Sequence, residues 1–153
     1  MKNKIVSILF LLTVSMIFMA CAPQATDIPA TPSPSVQGDP TEGQASLMND
    51  LRSESADVEF GDIVEQSFFA VNGRIIKVND ADVQVFEYQS AEALEADAAQ
   101  VSADGGSVGT SMISWIATPH FFKSGHILVL YVGNDPAVLE ALKYVLGEHF
   151  AGR

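Results

Sequence analysis

Five of the seven prolines in this chain fall between Pro23 and Pro40, and that clustering decides how much of it can fold. Pro23, Pro29, Pro32, Pro34 and Pro40 are mixed with Ala, Thr, Ser, Gln and Gly, and no hydrophobic period appears among them. Such a stretch cannot bury enough apolar surface to offset the entropy of ordering itself. Residues 22–44 are therefore read as a tether, about 25–30 Å long as flexible coil and about 70 Å as extended polyproline II. The remainder, residues 45–153, has the size of one domain.

Ahead of the tether lies an apolar leader. Lys2 and Lys4 precede a 16-residue run, 5–20, interrupted only by Ser7, Thr13 and Ser15. The run is shorter than the roughly 20 residues of a membrane-spanning helix, and Ala20 supplies a small residue before a cut. The sequence Phe18-Met19-Ala20-Cys21 resembles the lipobox of bacterial lipoproteins. The resemblance implies a signal peptide at 1–20, cleavage between Ala20 and Cys21, and a diacylglyceryl thioether on the Cys21 thiol, with palmitate-like acyl chains as the anchor. One acyl chain binds a bilayer marginally, whereas two or three hold it durably. The resemblance is specific over residues 1–21 alone, so it carries a location and no activity.

Charge and cysteine count narrow the rest. Without the leader the chain keeps six Lys and Arg against 19 Asp and Glu, a formal charge of −13. Such a surface repels nucleic-acid backbones and anionic headgroups, which excludes nucleic acid as a partner and leaves lipid as the membrane contact. Cys21 is the only cysteine, so no intramolecular disulfide exists and the core alone holds the domain together.

Periodicity predicts an α+β domain. A short helix is expected over 45–55 and a brief strand over 57–60. Strands over 64–71 and 74–79 are expected to join through Asn72-Gly73, a favoured type I′ pair. A second turn at 79–82 leads into a strand over 83–88. Ser90 is expected to cap a helix to about residue 102, and residues 103–109 form a glycine-rich break. Residues 110–117 read as a strand, 119–125 as a turn and 126–133 as an apolar strand. Asp135 caps a last helix with Pro136 in its first turn and Gly147 at its end. The expected architecture is a two-layer sandwich: an antiparallel sheet of about five or six strands, a meander plus a hairpin, with the helices on one face. The segments 83–88 and 127–132, each followed by a cap and a helix, raise the further expectation of two related units.

Catalytic patterns are scarce. His120, His126 and His149 form no His-Glu-x-x-His helix, and no thiol joins them, so no metal site or cofactor is assigned. His120 and His126 flank a turn and are the pair that would converge on a metal if one bound. Gly109-Thr110-Ser111-Met112 lacks the second glycine of a nucleophile elbow. The best candidate binding edge is Trp115, His120, Phe121 and Phe122, gathered around Pro119. The expected function is a membrane-tethered, non-catalytic binding or envelope-assembly domain, outside the cytoplasm at the cell membrane or outer membrane, with an envelope protein as partner. The alternatives are a ligand-sensing or inhibitory module and, behind it, a small enzyme or metal carrier.

Overall fold

The computed structural model describes residues 41–152, and the leader, Cys21 and residues 22–40 lie outside the described residues. Thr41 is the N-cap of α1 (Glu42–Ser53), whose Leu47, Met48 and Leu51 form the buried face. The chain continues through β1 (Val58–Val64), β2 (Gly73–Val78) and β3 (Ala81–Glu87) to α2 (Ala91–Ala98). A small hairpin of β4 (Ser107–Val108) and β5 (Ser111–Met112) follows, then β6 (Pro119–Ser124) and β7 (Ile127–Val132). The fold ends with α3 (Pro136–Leu146) and β8 (Ala151–Gly152).

Six strands make one antiparallel sheet in the order β1-β2-β3-β7-β6-β8, while β4 and β5 pair separately. The α+β class and the meander-plus-hairpin sheet are as expected. The helices, however, cover both faces. On β3 and β7, Val83, Val85, Val129 and Tyr131 point to one side and pack with α1 and with Val138 and Leu142 of α3. Phe86, Leu128 and Leu130 point to the other, against Leu94 and Ala98 of α2, with Phe69, Tyr88 and Phe121. The reason is the continuous apolar run of β7, buried from Ile127 to Tyr131, which cannot leave either face wet. Because α2 and α3 lie on opposite faces, the expectation of two related strand-and-helix units with helices on one side does not hold.

The first hairpin also differs. Val64 pairs with Gly73, so residues 65–72 form a loop, and Asn72-Gly73 is not a two-residue turn. The tight turn is the next one, where Val78 pairs with Ala81. Asn79 and Asp80 have φ of 50° and 66°, the positive values of a type I′ turn. Gly73 serves a different need: a Cβ there would lie 2.6 Å from the Phe86 ring of its cross-strand partner. Further along, 110–117 is strand only at Ser111–Met112, and the expected turn at 119–125 is the strand β6. Pro119 is the first residue of that strand, the position at which a sheet tolerates a missing N–H.

Both later caps form as expected. The Ser90 hydroxyl accepts from the Ala93 amide at 3.2 Å. The Asp135 carboxylate accepts from the Ala137 amide at 2.8 Å, with Pro136 in the first turn, and Gly147 ends α3 at φ 85°.

Candidate functional site

The four residues of the expected binding edge do not form one. Phe121 and Phe122 are both fully buried. As neighbours in β6 they enter opposite sheet faces, Phe122 beneath α1 and α3 and Phe121 on the side of α2. His120 is also buried. Trp115 alone reaches the surface, half-buried.

Trp115 nevertheless organises an exposed feature that periodicity did not reveal. It lies in the arm 103–118, which carries β4 and β5. Its indole Nε1 donates to the Gly105 carbonyl at 2.7 Å. Its ring meets Phe121 and Phe68 edge-on at 6.0 and 6.3 Å. Asp104 accepts from the Gly106 amide at 3.0 Å and from the Ser102 hydroxyl at 2.8 Å, and the Ile113 amide donates to the Gly106 carbonyl. Gly105 adopts φ 69°, and its close neighbours Phe121 and Pro119 leave little room for a side chain. On this braced arm Met112 is 92% exposed and Ile116 98% exposed. A cleft of about 410 Å³ runs between Trp115, Asp104, Thr118, Pro119 and Asn134. Two apolar side chains held out by a locked arm have the form of an anchor for a partner's hollow.

A second cluster sits at the other end of the β6–β7 hairpin. Glu87, at the end of β3, accepts from the Gly43 and Gln44 amides of α1 at 3.3 and 3.1 Å and from the Thr41 hydroxyl. His126 Nε2 lies 3.4 Å from the same carboxylate. Burial pushes the Glu87 carboxyl up, but the bonds from Thr41, Gly43, Gln44 and His126 outweigh it and hold its pKa below the ordinary glutamate value. A carboxylate whose oxygens already accept this many hydrogen bonds is committed to structure. Its geometry is that of a clasp supplying the first turn of α1 with an acceptor, and it explains why the helix starts three residues before Ala45. A cavity of about 320 Å³ beside it is bordered by Ser46, Asp50, Ser124, His126 and Leu146.

His120 and His126 do not converge. His120 sits opposite Tyr131, near the start of β6, while His126 lies past the far end of that strand. The neighbour of His120 is instead His149, with ring centroids 5.4 Å apart. Burial first, then His149 and Lys143, hold the His120 pKa below the ordinary histidine value. Tyr88 is shifted too: burial and its hydrogen bond to Asp97 push the phenol well above the usual tyrosine range. Met112, Ile116, Glu87 and the contact of His120 with His149 are the features the sequence reading missed. Only Met112 had a local signal, as an apolar residue between Ser111 and Ser114 just past the glycine-rich break.

Among the described residues, no helix is long and apolar enough to cross a membrane. Comparison with family models, curated proteins and solved structures finds no match for this chain.

Proposed function

We propose that this chain is a lipid-anchored, non-catalytic binding domain of the bacterial cell envelope, tethered through Cys21 and docking an envelope protein with its Met112–Ile116 arm. The observation that carries the docking is the near-complete exposure of Met112 and Ile116 on a segment locked by Trp115. A rigid backbone support spares the backbone-ordering cost of association, so that only the side chains remain to be ordered, which favours them as anchors. The occupant is a protein rather than the bilayer, because a formal charge of −13 on the processed chain opposes contact with anionic headgroups. The lipobox resemblance supplies the address.

The test places a photo-cross-linking residue at position 116 of the full chain in intact cells. One envelope protein should be captured, and its purified form should bind the domain with an affinity that falls about tenfold or more in Met112→Ser/Ile116→Ser, as for a loss of central anchors. Unchanged binding by the folded double variant would sink the docking assignment. Separately, Cys21→Ser should accumulate as an uncut, unlipidated precursor. A Cys21→Ser protein recovered at processed mass in the detergent phase would refute the anchor.

A further inference from the structure

We propose that His120 and His149 form a two-imidazole site for one borderline divalent cation, Zn²⁺ or Cu²⁺, reached from the side of His149. The starting point is a tautomer. His120 is only 5% exposed, and its Nε2 lies 3.1 Å from the Gly133 carbonyl oxygen. A carbonyl only accepts, so the hydrogen-bond network assigns the proton of neutral His120 to Nε2 and leaves a bare lone pair on Nδ1. That Nδ1 is buried and has no hydrogen-bond partner. Nδ1 of His149 is in the same state, on a ring that is half-buried and borders solvent. Two buried, unpartnered nitrogens on adjoining rings are costly unless a further group satisfies them.

The spacing fits an ion. With metal–nitrogen distances of about 2.0–2.1 Å, two imidazoles on a tetrahedral centre have ring centroids about 5 Å apart. His120 and His149 stand at 5.4 Å, with planes inclined by 78°. Backbone acceptance at the far nitrogen of His120 is also the usual way a ligating imidazole is oriented. Both rings are braced, His120 stacked on Tyr131 at 6.2 Å and His149 edge-on to Phe122 at 5.8 Å.

The donor set selects the ion. Imidazole nitrogen suits zinc and copper, while calcium and magnesium require oxygen ligands. Lys143, the cation that bears on His120, is ion-paired to Glu148 at 2.9 Å, which tempers its repulsion of an incoming ion. Among the described residues no group of three His, Cys, Asp or Glu side chains that could hold a metal occurs, so the two imidazoles are the side-chain ligands of the site.

The experiment uses the full chain in detergent, stripped with a chelator and labelled with ¹⁵N at histidine. One equivalent of ZnCl₂ should move the Nδ1 resonances of His120 and His149 together and leave His120 Nε2 protonated. CuCl₂ in a second sample should selectively broaden the same two rings. With free zinc at about 100 times its Kd, the melting temperature should rise by roughly 10–15 °C. His149→Gln should lose that rise, and His126→Gln, altered at an exposed imidazole, should keep it. Nδ1 resonances unmoved by either ion would overturn the proposal and assign the space to a bridging water. An equal temperature shift in His149→Gln would overturn it as well. The spectrum of the unmutated chain decides the matter even where the variant folds poorly.

Discussion

The Tyr88 hydroxyl donates to the Asp97 carboxylate at 2.9 Å, inside the core on the α2 side of the sheet. The same oxygen accepts from the Ala70 amide at 2.8 Å, so one buried carboxylate joins the residue that follows β3, α2 and the 65–72 loop. Tyr88→Phe removes one donor and should cost about 1–2 kcal/mol, whereas Asp97→Ala strands both donors and should cost about 2–5 kcal/mol. Urea unfolding of the two variants measures the difference. Equal losses would show that the carboxylate does not hold the loop.

Glu87 makes stability depend on pH in a defined direction. Its folded pKa is lowered from the ordinary value of 4.5, so its contribution is present above that value and disappears as pH falls through the lowered one. Glu87→Gln should therefore be less stable than the parent at pH 7, with the gap closing in strong acid. Chemical denaturation at pH 7 and near pH 3 checks it, and a gap that stays constant would refute the clasp.

Gly73→Ala should destabilise by about 1–3 kcal/mol, as overpacking does. The added methyl would meet the ring of Phe86, which is fully buried. A neutral result in thermal unfolding would mean that the ring repacks.

Asp80→Gly should stabilise the domain by about 0.5 kcal/mol, because glycine adopts the positive φ of the second I′ position without a side-chain penalty. Asp80 now holds that position at φ 66°. A lower melting temperature would contradict the turn assignment.

Met112→Ser/Ile116→Ser should leave folding stability within about 0.5 kcal/mol, since surface substitutions seldom exceed that. This separates loss of docking from loss of the fold. A large drop in the denaturation midpoint would show that the two side chains pack rather than project.

Local chemistry made part of this fold legible. Ser90 and Asp135 are caps whose partners lie two or three residues away, so the starts of their helices were legible in the residue types alone, although α2 ends at Ala98 rather than near residue 102. The alternation of Val83 and Val85 with Phe86 was readable for the same reason, and so was the unbroken apolar run of β7. That unbroken run also carried the signal for two covered faces, a consequence the one-face expectation left unused. Asn72-Gly73 misled because glycine answers two different demands. At position 73 it makes room for Phe86, while the positive φ values belong to Asn79 and Asp80. Pro119 looked like a breaker although it begins a strand. The clasp of Glu87 on residues 41–44 spans more than 40 positions, and the meeting of His120 with His149 spans 29, so neither leaves a local period to detect.

The clasp has a mechanical consequence. Glu87 ends β3, which has β2 on one side and β7 on the other. Tension arriving along the chain ahead of Thr41 therefore enters near the middle of the sheet and is shared between two ladders, instead of peeling an outer strand. In a pulling experiment from residue 41, Glu87→Gln should lower the rupture force, and the first element to yield should be α1.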